Sequence, residues 1–222
     1  MTNSRSILAF IAVILCAAVR IRADPAPTLT MTVNASTVTI SGATPHGKVI
    51  FFGVGRFIDH TTVTVRRLDQ TVVDDDGDGV VTVDIGGPVP WKSIFAAVDF
   101  QSGRYVLGTP NAAMFPLITL DVKVNPLAED SPGVVKHIVV HRRVCEVLHV
   151  RPGVGAWSQI LAAGNQFDEA HAGNGDVKAN VAAGIAVGTA MPAAPDTFAK
   201  GDVVVLIERQ RMQVWAATVG DK

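Results

Sequence analysis

The sequence predicts an all-β protein of the sandwich type. Short runs rich in Val, Ile, Thr and Phe recur along the chain, bounded by clusters of Gly, Pro, Asn and Asp. Several of these runs alternate apolar and polar residues, the period of a half-buried strand. No stretch shows a convincing amphipathic helical period. The chain of 222 residues is 48% hydrophobic and 18% charged, with a mean hydropathy of +0.33. That apolar balance comes from the N-terminus and from β-branched runs that read as buried strands. The length suffices for one large domain or two small ones.

The first 23 residues read as a secretory signal. Arg5 supplies the positive end, Ile7 to Val19 the apolar core, and Ala23 a small residue before Asp24 and Pro25. The apolar core is shorter than the roughly 20 residues a membrane span needs, so no span is expected after cleavage. Arg20 and Arg22 leave the cut site open. The protein is therefore expected to be secreted or held in the cell envelope, extracellular or periplasmic. Residues 1–23 carry three arginines and no acid, so the remainder has 16 basic and 20 acidic residues, a net charge of −4. A general nucleic-acid binder would be basic. Cys16 leaves with the signal, and Cys145 alone cannot form an internal disulfide.

The strands follow in order. Thr30 to Val33 and Thr37 to Ser41 alternate, and Gly42 to Gly47 supplies a turn. Lys48 to Val54 is almost continuously apolar, which predicts a central strand covered on both faces. Thr61 to Arg67 alternates. The acidic turn Asp74 to Gly79 leads into Val80 to Ile85, where Val81, Val83 and Ile85 share one face and Thr82 and Asp84 the other. Ile94 to Phe100 and Arg104 to Leu107 pair as a hairpin around Ser102 and Gly103. Seven or so short strands across residues 24–120 predict a β-sandwich.

The segments SGATPHGKVIFF, VVDDDGDGVVTVDI and SIFAAVDFQSGRY resemble bacterial immunoglobulin-like modules in their turn and strand pattern over Thr28 to Pro110. Two departures stand out: His46 separates a Pro and a Gly that the family has adjacent, and Arg56 to Asp69 is longer than usual. The resemblance implies an immunoglobulin-like β-sandwich with a structural, adhesive or spacer role and no catalytic residues.

Asp121 to Gly133 has the Pro, Gly and acidic content of a linker, so a second, smaller β-rich unit is expected over residues 134–222. There Val134 to Val150 reads as one long strand, Trp157 to Ala163 as a short helix, and Val203 to Ile207 with Val214 to Val219 as a final hairpin. A faint repeat relates DGDGVVTVDI and SIFAAVDFQSGRYVL to GNGDVKANVAAG and DVVVLIERQRMQVWA, which two β units of similar plan or chance alike would produce.

One motif points to a metal. With Asp74 at position 1 of a calcium loop, Asp76 and Asp78 fall at positions 3 and 5, Gly79 at the sharp turn, and the Val80 carbonyl at position 7. Ile85 stands where a bidentate Glu would close the loop. Calcium would relieve the repulsion among these acids; a tight hairpin turn with solvated charges is the alternative.

His137, His141, Cys145 and His149 fall on one face of the long strand, opposite Ile138, Val140, Val144, Leu148 and Val150. Residues four apart on a strand are about 13 Å apart, too far for one zinc, so an outward polar row is expected. Cys145 in that row is either a free thiol able to pair between chains or a partly buried, inert one.

Trp91, Trp157 and Trp215 are core residues by default, with Trp91 the first to suspect as a glycan-stacking residue. Hydrolase and nucleotide motifs are missing, and Asp168, Glu169 and His171 in a Gly-rich stretch read as surface. The sequence therefore predicts a non-enzymatic exported structural, adhesive or ligand-binding protein whose partner is a protein or a glycan. The alternative is a secreted hydrolase or carbohydrate-active protein with its site in the C-terminal half.

Overall fold

The computed structural model describes residues 28–59, 62–120, 122–126, 135–141, 144–161, 174–177, 183–185, 187, 193 and 198–220. The expected signal segment lies outside them. The described residues form sixteen strands and no helix, so the all-β fold class expected from the sequence holds. No helix among them is long and apolar enough to cross a membrane.

The first unit is two antiparallel sheets face to face. One contains β1 (Thr30–Val33), β2 (Thr37–Ser41) and β5 (Val80–Asp84) in the order β1-β2-β5. The other contains β3 (Lys48–Asp59), β4 (Thr62–Val73), β6 (Lys92–Asp99) and β7 (Tyr105–Gly108) in the order β4-β3-β6-β7. Alternation directs Val38, Ile40, Val81 and Val83 inward against Val49, Phe51, Phe95 and Ala97. The Phe51 and Phe95 rings stack 5.5 Å apart, and burying each such side chain contributes roughly 1.5–3 kcal/mol. The extra length between Arg56 and Asp69 is a hairpin extension, with β3 and β4 pairing out to Asp59 and Thr62.

The second unit contains β8 (Ile118–Thr119), β9 (Val122–Pro126), β10 (Val135–His141), β11 (Cys145–Arg151), β12 (Gly155–Leu161), β13 (Asn174–Val177), β14 (Ala183–Ile185), β15 (Val203–Glu208) and β16 (Gln213–Thr218). Its sheets run β13-β10-β9 and β14-β12-β11-β15-β16-β8. Apart from the added edges β8 and β14, the first unit's plan recurs. β1-β2-β5 becomes β9-β10-β13, and β4-β3-β6-β7 becomes β12-β11-β15-β16.

The correspondence reaches single residues. Val49 pairs with Asp99 as Cys145 pairs with Glu208. Each buried acid accepts the N–H two residues on, Gln101 N to Asp99 at 3.1 Å and Gln210 N to Glu208 at 2.7 Å. Four residues after each acid the backbone turns left-handed, at Gly103 (φ 70°) and Met212 (φ 55°).

The four-stranded sheet of the first unit packs its outer face on the second unit's larger sheet. Ile50, Phe52, Val54, Ile94, Ala96 and Val98 meet Leu148, Val150, Val203, Val205 and Ile207 in one core. This explains the unbroken apolar run at Lys48 to Val54, because β3 lies between two layers. The units are related by an approximate two-fold. At one end Gly153 N donates to Phe100 O at 2.7 Å, and at the other Arg56 Nη1 donates to Gln210 O at 2.7 Å.

Three expectations need correction. Trp157 to Leu161, where a short helix is expected, belong to strand β12; Trp157, Ser158 and Gln159 are buried in succession, so no clean alternation marks the strand, and residues 162 and 163 lie outside the described residues. The long strand over Val134 to Val150 is two strands in different sheets, β10 and β11. The expected linker 121–133 contains β9, whose Val122 and Val124 alternate with Lys123 and Asn125 beside β10; the Pro and acidic residues that follow mask it.

Candidate functional site

The acidic turn gathers the residues proposed for calcium. One carboxylate oxygen from each of Asp74, Asp76 and Asp78 lies within 4.8 Å of the others. Calcium ligands at 2.3–2.6 Å lie at most about 5 Å apart across the ion, so the spread fits. Asp74 is nevertheless buried and already engaged. Its Oδ1 accepts Gly77 N at 3.1 Å, and its Oδ2 accepts His46 N at 3.0 Å and Gly79 N at 2.9 Å. Burial raises the Asp74 pKa, but these donors and the Asp76 side chain outweigh it and hold the carboxyl below its ordinary range. Asp78 accepts Val80 N at 2.7 Å, and Val80 opens β5 opposite Ser41. His46, in left-handed backbone (φ 55°), lays its ring against Gly77, where an added Cβ would come within 2.3 Å of it.

Two members of the expected outward row, Cys145 and His149, face inward. Cys145 and His149 are buried, within a second core under β11 and β15 in the case of Cys145, which makes the thiol an internal one. His137 and His141 belong to β10, in another sheet, where the backbone path alone is described. The His149 ring sits between Trp157 (5.0 Å) and Phe198 (4.8 Å). Its Nε2 donates to Asp202 Oδ2 at 2.8 Å, leaving a buried Nδ1 with no partner among the described residues.

Asp202 also accepts Arg151 Nε and Nη2, each at 2.9 Å, and Ala199 N at 2.8 Å. Burial raises its pKa, and the His149 and Arg151 hydrogen bonds overcome that to hold it low. Asp99 repeats the pattern with Thr44 and Arg104 as donors. Sequence reading missed both anchors; the signal available was a single acid ending or opening an otherwise apolar strand. Asp168, Glu169 and His171 lie outside the described residues.

Of the three tryptophans, Trp157 is buried, Trp215 is half-buried against the second core, and Trp91 is 48% exposed. Trp91 packs on Phe115 with ring centroids 4.6 Å apart, and Lys92 Nζ lies 5.2 Å from its ring. Met114, Leu117 and Ile118 are exposed alongside. Met114, Leu117 and Ile118 line a groove of about 220 Å³ in which Lys92 and Ile94 of β6 meet Phe115 of the connecting segment and Arg211 and Met212 of the β15–β16 turn; Trp91 adjoins it through its packing on Phe115. On the other side of the Pro90–Ser93 ridge, a second groove of about 300 Å³ opens over Gly53, Leu68 and Phe95, walled by Arg66, Gly86 and Pro88. Comparison with protein-family models and with curated proteins finds no match to this chain.

Proposed function

We propose that the chain is an exported binding protein. It is built as two packed β-sandwich units of immunoglobulin-like plan and recognises its partner through the surface around Trp91. The observation that carries this reading is the exposed aromatic and aliphatic groove where both units and their connecting segment meet. Contiguous apolar surface of this kind, rimmed by polar residues, marks interaction sites, and ligand sites favour domain junctions. The immunoglobulin-like assignment is supported by the first, second and fifth strands forming one sheet and the third, sixth and seventh the other, with the fourth on the third strand's edge. The acidic turn serves this architecture as a hairpin that calcium stiffens.

The test compares the wild type with a Trp91→Ala, Met114→Ser double variant. Each is applied to columns of immobilised bacterial cell-envelope fragments, dextran and polygalacturonate. The wild type is expected to be retarded on at least one, and the variant to lose at least about fivefold in affinity, as one anchor residue contributes roughly 1–2 kcal/mol or more. Equal retardation of both proteins would sink the assignment of this surface.

A further inference from the structure

We propose that the Trp91 surface takes an acidic polysaccharide, a chain of sugar rings carrying carboxylate or other anionic groups. This deepens the binding reading above and rests on it. The approximate two-fold makes the claim specific, because it pairs this junction with an equivalent one at the opposite end of the interface. There the junction is shut: Gly153 N bonds Phe100 O, and a Cβ added at Gly103 would lie 2.8 Å from Pro152. At the Trp91 end the corresponding turn ends in Arg211 and Met212. Met212 adopts left-handed backbone and is buried in the shared core, while Arg211 is exposed at the groove. A non-glycine residue held in that conformation is strained, and here the strain places an arginine beside an open groove.

The charge of the surface selects the partner. The groove beside Trp91 is lined by Lys92 and Arg211, with no acid among its described lining residues, whereas Arg67 in the second groove is already paired with Asp69 and Glu146. Arg56 adds a further cation beside Lys92, its register partner on β3. Neighbouring Glu208 is buried, with both oxygens on the N–H groups of Gln210 and Arg211, so it orders the turn. Four acids of the first unit, Asp74, Asp75, Asp76 and Asp78, lie at the far end of its strands, while Asp84 is exposed beside the second groove, where its Oδ1 accepts Gly86 N at 2.8 Å. Lys92, Arg211 and Arg56 thus make the groove beside Trp91 cationic in a chain of acidic overall balance, which attracts and orients anions.

The apolar half of the surface separates a ring polymer from a peptide. Trp91, Phe115 and Ile118 offer broad faces for the C–H faces of sugar rings. The adjoining sheet edge β8 is two residues long and preceded by Pro116, too short to pair with an added peptide strand.

The experiment is affinity electrophoresis of the purified chain through gels containing polygalacturonate, dextran or polyglutamate, at low and high salt. Retardation is expected by polygalacturonate alone. Arg211→Gln should weaken it about tenfold, the size of one charge-assisted contact, and should flatten its salt dependence. Trp91→Ala should weaken it at both salt concentrations, whereas Asp75→Asn at the opposite end should leave it unchanged. Matching thermal melts would show that every variant is folded.

Equal retardation by polyglutamate would overturn ring recognition. Retardation by dextran would overturn the acidic assignment yet keep the binding reading, as would retention on envelope fragments with none on polygalacturonate. No retention on any matrix would overturn both. An Arg211-dependent dimer in gel filtration would overturn the proposal by giving the surface to a second copy.

Discussion

Asp74 and Asp76 are two residues apart in one turn, yet the structure gives them different parts. Both Asp74 oxygens accept backbone N–H groups, so any substitution there unravels the turn whether or not an ion binds. Asp76 is exposed and holds no backbone donor in the turn, which makes it the informative position. Calcium at about 100 times its dissociation constant is expected to stabilise the chain by about 2.7 kcal/mol. Thermal melts with calcium and with chelator check this, and the shift should vanish in Asp76→Ala; coincident wild-type melts would leave an ordinary hairpin. Asp99 and Asp202 set the acid response. Their folded-state pKa values are depressed, so the stability they contribute is complete above the unfolded value of about 3.9 and is lost as pH falls through the folded values. Urea midpoints are therefore expected to hold between pH 7 and 5 and to fall steeply below pH 4. Asp202→Asn should lower the midpoint at pH 7 and shrink its decline on acidification; an unchanged decline would show that other carboxylates control it.

The elements legible in the sequence were those with one wet face. β5 shows Val81 and Val83 buried between exposed Val80, Thr82 and Asp84, as alternation requires, and the β6–β7 and β15–β16 hairpins fall where their turn residues stand. Elements covered on both faces lose that alternation. For this reason the sequence of β12 suggests a helix, and β11 reads as continuous with β10 because the break between them bears no Gly or Pro. On β11 the odd positions enter one core and the even positions another, so Cys145 and His149 looked like an outward polar row when they are interior. His149 occupies the register position that Gly53 holds in the first unit, opposite Val204 as Gly53 is opposite Phe95. The second unit fills that space with an imidazole tied to Asp202, where the first leaves room for the Phe95 ring, which a Cβ on Gly53 would meet at 2.7 Å. Trp91 was legible as the tryptophan to suspect, because Pro90 and Lys92 flank it in a connection. Arg211 was not, because its position beside the groove depends on a fold-level pairing of the two units.

At the scale of the molecule, the shared core decides whether the two units are separable. Ile50, Phe52, Val54, Ile94 and Val98 are all at most 3% exposed only because the second unit covers them. At roughly 1.5–3 kcal/mol for each buried side chain of this size, that face stabilises the pair on the order of 10 kcal/mol. This is comparable to the whole stability of a typical domain, about 5–15 kcal/mol. The full chain is therefore expected to unfold in urea as one transition. In a Trp91→Phe background, Trp157 and Trp215 fluorescence reports the second unit and overall β-sheet circular dichroism reports both, so the two signals should coincide. Residues 28–120 expressed alone should not persist as a monomer. Because the interface is nearly two-fold, the first unit can cover the same face with another copy of itself, so gel filtration should find a dimer or aggregate. Phe52→Asp in the full chain should lower both signals' midpoints together, since the charge enters a core that belongs to both units. Two separated transitions, or a stable monomer of residues 28–120, would mean instead that each sandwich carries its own stability and that the junction around Trp91 is free to open.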